Sequence, residues 1–238
     1  MAKKIRRSPS LMCAHLGKLE EDVRILDTLG FADEYHVDII DWHYCKNMSL
    51  APCFIEALRP ITNRPIEAHL YVDNVDTDLI ELCMASGTDI ITVQADVVGR
   101  QIHRLADVIA RGNRKLGVCL NPSMPLQTIE EYADVIDRLL ILTVDPGYPG
   151  QAFVESTLTK IDAARDLRNR RGLHFDIEVD GCCNEHYYRA LSNAGAETFV
   201  LGSSGLFNKD TDLTVAANIA QDLLDRELLQ SEREEIDV

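Results

Sequence analysis

Four residues of this chain hold the groups most able to do chemistry together: His36, Asp38, His69 and Asp180. They close three apolar runs, as His36-Val37-Asp38, Ala68-His69-Leu70 and Glu178-Val179-Asp180-Gly181. In an extended strand, residues i and i+2 face the same side, so His36 and Asp38 point together. Two imidazoles and two carboxylates meeting at one point suit a first-row divalent cation, Zn, Mn, Co or Fe, better than Ca. A lone buried histidine or strand-end aspartate is usually structural. Four such residues at three strand ends argue for one divalent metal per subunit.

Glycine-bearing loops form a second pattern. Asp145-Pro146-Gly147-Tyr148-Pro149-Gly150-Gln151 follows one apolar run, Gly181-Cys182 another, and Gly202-Ser203-Ser204-Gly205 a third. Glycines let backbone N–H groups close around an anion, and a short helix after the last run would aim its amides there. Together the three loops read as a phosphate site. Ser10, at the end of the first run, is expected to reach the same ligand.

The elements that must position these groups alternate along the chain. Strands are expected at Ile5–Met12, Tyr35–Ile40, Pro65–Tyr71, Asp89–Val93, Lys115–Leu120, Leu139–Val144, Phe175–Val179 and Thr198–Leu201. Helices are expected between them, at Leu16–Gly30, Pro52–Leu58, 75–86, 100–111, Gln127–Tyr132, 153–171 and 185–194, with a last one at 212–229. Strands that are continuous Ile/Val/Leu runs belong to a parallel sheet covered on both faces. Eight strand–helix pairs over 238 residues point to an α/β fold, a (β/α)8 TIM barrel forming a single domain over residues 1–238. The alternative is an open doubly wound sheet. In a barrel, the C-terminal strand ends carry the active site, which is where both patterns fall. The acidic stretch from about residue 230 reads as a solvated, mobile tail.

Composition sets limits. The formal net charge of −15 disfavours nucleic acid as a partner. No apolar run is long enough to span a membrane, and none near the basic start resembles a signal peptide. Seven cysteines, without metal-ligand spacing, read as free thiols in a reducing, cytoplasmic setting.

The ordered motifs also carry a resemblance. Ser8-Pro9-Ser10-Leu11-Met12, His36-Val37-Asp38-Ile39-Ile40-Asp41, His69-Leu70-Tyr71, Asn121-Pro122-Ser123-Met124-Pro125-Leu126, Thr143 to Gln151, Glu178 to Gly181 and Gly202 to Phe207 occur in sequence. The chain resembles the ribulose-phosphate 3-epimerase family from residue 5 to about 210. Within that family it is more similar to the D-allulose-6-phosphate 3-epimerases, through Val144-Asp145-Pro146-Gly147, Asp180 to Asn184 and Gly202 to Asn208.

The resemblance implies His36, Asp38, His69 and Asp180 as metal ligands and Asp38 and Asp180 as the acid/base pair. It places a small phosphorylated ketose against Ser10, His69, Gly147, Tyr148, Pro149, Gly150, Gly181, Cys182, Gly202, Ser203 and Ser204. It also implies a homo-oligomer, dimer or hexamer. Ile40, Tyr71 and Leu142 stand where methionines are frequent in the family, Trp42 stands for a glycine, Cys45-Lys46 for Val-Pro, and Gln94 for a common histidine. The ligands match and the sugar-facing wall does not, and a bulky Trp42 and Tyr71 are expected to reshape that wall, so the chemistry is more firmly implied than the sugar: D-allulose 6-phosphate is the first expectation and D-ribulose 5-phosphate, or another ketose phosphate, the alternative. Other readings are a phosphate-binding decarboxylase or aldolase barrel and a non-catalytic sugar-phosphate barrel. A Schiff-base aldolase needs a strand-end lysine, and the sequence offers none.

Overall fold

Short runs of mostly branched apolar residues, buried on both faces in all but the first, Arg6-Arg7-Ser8-Pro9, set the architecture. In the computed structural model, which describes residues 5–236 (backbone only over 230–236), they form eight strands. These are β1 (Arg6–Pro9), β2 (Tyr35–Ile40), β3 (Ile66–Tyr71), β4 (Ile90–Gln94), β5 (Lys115–Leu120), β6 (Arg138–Leu142), β7 (Asp176–Asp180) and β8 (Thr198–Leu201). All pair in parallel in the ring order β1-β8-β7-β6-β5-β4-β3-β2. A parallel bridge from Ser10 to His36, with the Asp33 amide donating to the Arg7 carbonyl at 2.9 Å, joins β1 to β2 and closes the barrel. The fold is the single-domain (β/α)8 barrel.

Helices clothe the outside because their apolar residues recur at helical spacing. Over Ile102–Arg111 the buried positions are Ile102, Leu105, Ala106, Val108 and Ile109, one continuous stripe. Asp76 caps Thr77–Ala85 by accepting the Leu79 amide at 2.9 Å. Gly172 and Gly195 end their helices in the left-handed conformation.

The first strand is shorter than its sequence suggests. It stops at Pro9, and Leu11–Cys13 turns into a 3-10 helix as the Cys13 amide donates back to Ser10 at 3.0 Å. A short helix at Ala95–Val98 follows β4 directly and had no signal in the apolar pattern. The last helix runs Leu213–Ile236, so the backbone of the acidic run is helical to that point, while Asp237 and Val238 lie outside the described residues. All seven cysteines are free thiols. No helix among the described residues is long and apolar enough to cross a membrane.

The register stacks the inward-facing polar residues in layers. Asp38 is level with His69, and Leu142 with Asp180, at the C-terminal mouth. One step lower, His36 is level with Glu67 and Leu140 with Glu178; lower still, Arg138 is level with Asp176. Alternation thus stacks Asp38, His69 and Asp180 at the mouth above His36, Glu67 and Glu178, with Arg138 beneath them.

Candidate active site

The four expected ligands do converge. His36 Nε2 lies 3.1 Å from Asp38 Oδ1 and 3.1 Å from His69 Nδ1. His69 Nδ1 lies 3.4 Å from Asp38 Oδ1, and Asp180 Oδ2 is 3.9 Å from His36 Nε2 and 4.0 Å from His69 Nδ1. Donors each about 2.1 Å from a shared cation stand roughly 3–4 Å from one another, so the spacing fits.

The second nitrogen of each imidazole also has a partner. His36 Nδ1 is 3.0 Å from Glu67 Oε2, an oxygen that can accept a proton carried on Nδ1. His69 Nε2 is 2.8 Å from the Gln94 side-chain amide, and Tyr44 Oη lies 3.2 Å from the other end of that amide and 3.2 Å from Asp96. The structure sets the Gln94 amide nitrogen toward His69; with that amide reversed and the Tyr44 hydroxyl donating to Asp96, both imidazoles present lone pairs to the same point. An oxygen and a nitrogen of an amide exchange places without altering this geometry. Lone pairs and carboxylates so crowded need a positive charge among them, and the donor set fits a divalent cation.

Electrostatics separates the two carboxylates. Burial pushes Asp38 up, but the charge and hydrogen bonds of His36 and His69 outweigh it and hold its carboxyl below the usual range. Ser10 Oγ also donates to Asp38 Oδ2 at 2.9 Å. Asp180 is raised, by burial first and by the nearby Asp38 charge second. Tyr71 Oη donates to Asp180 Oδ2 at 3.4 Å. Burial lowers the proton affinity of His36, yet Asp38 and Glu67 more than reverse this, so the pocket draws positive charge to it. Burial raises Glu67, and the Arg138 guanidinium and His36 override it and pull its carboxyl well below the usual range.

Above this cluster opens a cavity of about 170 Å³. Ser10, Asp38 and Asp180 form its floor, and Gly147, Tyr148, Pro149, Gly150, Gly181, Cys182, Gly202, Ser203 and Ser204 form the loop-side wall. All the loop residues expected to hold phosphate are therefore brought together. Gly181 adopts φ +103°, and a Cβ there would lie 2.6 Å from Val144 Cγ2. Cys182 adopts a left-handed φ of 52°. Asn184 Nδ2 donates to Ser204 Oγ at 3.2 Å and ties the loop after β7 to the loop after β8. Ser203–Phe207 forms the short helix expected after β8, wound as a π turn.

Two expectations change. His69 is fully buried and is not on the cavity wall; it lies below the floor, within reach of the shared donor point only. Trp42 is half exposed, with φ 70°, and does not line the cavity, whereas Ile40 and Tyr71 do. Leu142 packs behind that wall with Ile40, Tyr71, Cys119 and Leu140. The sequence reading had no partner for either histidine. The i+2 rule that paired His36 with Asp38 also puts Glu67 on the face of His69 and Glu178 on that of Asp180, but which histidine each meets is set by register between strands.

A parallel eight-stranded barrel with a His2Asp2 cluster sunk in its C-terminal mouth, under glycine-bearing loops, defines a class: a (β/α)8-barrel enzyme with a cation-competent centre. Comparison with known proteins narrows it. The sequence model of the ribulose-phosphate 3-epimerase family matches residues 6–207. The ribulose-phosphate 3-epimerase of Bacillus subtilis is 34% identical over 201 residues, covering 84% of this chain and 91% of the relative. The chloroplastic ribulose-5-phosphate-3-epimerase of Arabidopsis thaliana is 35% identical over 204 residues, covering 85% and 72%. The chain belongs to the ribulose-phosphate 3-epimerase family, and it is an isomerase. Among solved structures, 3-hexulose-6-phosphate synthase from Salmonella typhimurium superposes with a TM-score of 0.68 at 14% identity, covering 95% of this chain and all of the other. That likeness concerns the fold.

Proposed function

We propose that this chain is a ketose-phosphate 3-epimerase whose substrate is D-ribulose 5-phosphate, with His36, Asp38, His69 and Asp180 holding one divalent cation. The observation that carries the reading is the pair Asp38 and Asp180. They stand against one donor point, and their surroundings push their proton affinities in opposite directions. Two titratable groups pushed apart by their surroundings are the mark of an acid/base pair.

Epimerisation beside a ketone removes a proton from one face and returns one to the other. Asp38, ionised and held by Ser10, takes the C3 proton from its side. Asp180, whose proton affinity burial and the nearby Asp38 charge raise, serves the opposite face as the acid, and the roles exchange in the reverse direction. A divalent cation bound by the four side chains would supply the positive charge that proton loss next to a carbonyl demands. Backbone amides of the loops after β6, β7 and β8 grip the phosphate and fix the sugar against the floor. These local donors offset the repulsion of the chain's −15 net charge.

The names of the relatives support the pentose phosphate, which displaces D-allulose 6-phosphate as the first reading. Ile40 and Tyr71 on the cavity wall keep the hexulose phosphate as the second reading. A homo-oligomer, dimer or hexamer, belongs to the same proposal. The test is a side-by-side assay of D-ribulose 5-phosphate and D-allulose 6-phosphate in deuterated water, with each of Zn, Mn, Co and Fe. Deuterium should enter C3 of the pentose phosphate fastest. Faster exchange into the hexulose phosphate would reverse the substrate order, and no exchange into either would remove the epimerase reading.

A further inference from the structure

Beneath the donor point lies an arginine that the proposed chemistry does not use. Arg138 is 1% exposed and enters the barrel interior from β6, below Leu140 and Leu142. Taking a guanidinium out of water is expensive, and an apolar side chain of similar volume usually serves packing at least as well. A charge retained there needs a reason beyond filling space.

Its contacts supply one. Arg138 Nη1 donates to Glu34 Oε1 at 2.6 Å and to Glu67 Oε2 at 2.9 Å. Nη2 reaches Glu34 Oε2 at 3.0 Å, while Nε and Nη2 reach the two oxygens of Asp176 at 3.2 and 3.3 Å. Asp176 is held in turn by Arg6. The fork is thus strapped to β7 and to Glu34 just before β2, and its remaining donor points at Glu67 on β3. The same Glu67 oxygen accepts His36 Nδ1, and its other oxygen accepts the Thr92 hydroxyl. Glu67 is thus held from β2, β4 and β6.

We propose that Arg138 is a positioning residue, which fixes Glu67 so that Glu67 accepts the Nδ1–H of His36 and leaves Nε2 aimed at the cation. A histidine ligand whose far nitrogen donates to an anchored carboxylate is held in one tautomer and one ring orientation. Here the carboxylate is anchored by a fixed charge rather than by solvent. The guanidinium does a second thing. His36, Glu67 and Glu178 are close enough to form a second cation pocket, and Arg138 Nη1 stands 3.4 Å from Glu178 Oε1 as well as against Glu67. The fixed cation fills that pocket and directs a mobile ion to the upper one.

The inference rests on the cation reading of the preceding section, and the experiment separates the two. Metal-free wild type, Glu67→Gln, Arg138→Lys and Arg138→Met are titrated with Zn2+ and with Mn2+, and the zinc-loaded proteins are examined by nitrogen NMR with 15N-labelled histidine. Wild type should bind one ion, with His36 protonated at Nδ1 and coordinated through Nε2. Glu67→Gln and Arg138→Lys should each weaken binding by about 10- to 100-fold and mix the His36 signals. Arg138→Met should do the same or more, and if it fails to fold the other two variants carry the test. Wild-type affinity with an unchanged His36 signature in folded Glu67→Gln and Arg138→Lys would overturn the inference alone. A wild type that binds neither ion would overturn the cation reading, and the inference with it.

Discussion

The two halves of the barrel mouth are built by opposite means. The half formed by His36, Asp38, His69 and Asp180 is made of side chains on β2, β3 and β7, and both of its histidines are braced by a buried polar group. The half facing it is made of loops after β6, β7 and β8, and Gly147, Gly150 and Gly181 shape the first two with positive φ. The first is rigid because four donors on paired strands cannot move independently. The second adapts, because loop backbone is restrained by fewer partners. A cation tolerates little error in donor position, whereas a phosphate can be gripped by several amides at once. Each half has the stiffness its ligand demands.

That contrast can be broken from the rigid side first. Exhaustive chelation should abolish turnover, and Mn, Co or Zn should restore it; activity that survives chelation would refute the role given to the four side chains. The ion should also bind more weakly as pH falls. Asp38 and Glu67 favour a proton on His36 despite its burial, and a protonated imidazole cannot ligate, so acid displaces the metal. Isothermal titration across pH reads this directly.

Asp38→Asn and Asp180→Asn should each lower kcat by about 100-fold or more with the fold intact. Near-normal turnover in either variant removes that residue from proton transfer. On the adaptable side the effects are smaller and fall on KM. Gly181→Ala meets both a left-handed backbone and the Val144 side chain, and should raise KM roughly tenfold, equivalent to about 1.4 kcal/mol. Gly150→Ala, at φ +82° with no atom within 4 Å of the added carbon, meets backbone strain alone and should cost less. A larger loss in Gly150→Ala than in Gly181→Ala would show that the loop after β6 is the stiffer one.

The same contrast explains what the sequence made legible. Strand-borne residues obey a period of two, so His36 with Asp38, and the strand ends at His69 and Asp180, could be read directly. Loop residues announce themselves through glycine, and those the resemblance set against the sugar phosphate line the cavity, whereas Pro146 and Gly205 of the same loops do not. Lower in the barrel, Glu67 and Arg138 obey the same period, but their meeting depends on register between strands far apart in the chain, which local spacing does not encode. Gln94 went unrecognised as a partner of His69 because β4 carries it across from β3. The 3-10 turn after Pro9 was hidden because Leu11-Met12 continues the apolar run of the first strand. Trp42 looked like part of the sugar wall from its position after β2, yet its positive φ turns that stretch outward.

The bridge between Ser10 and His36 is at once the clasp of the ring and the edge of the reaction centre. Ser10 reaches Asp38 across that same seam. A folding intermediate in which β1 has not yet docked would therefore lack a finished centre, however complete its other seven strands. The chain's first strand works as a keystone: until it drops in, the arch is open where catalysis must happen, so competence arrives at the moment of closure.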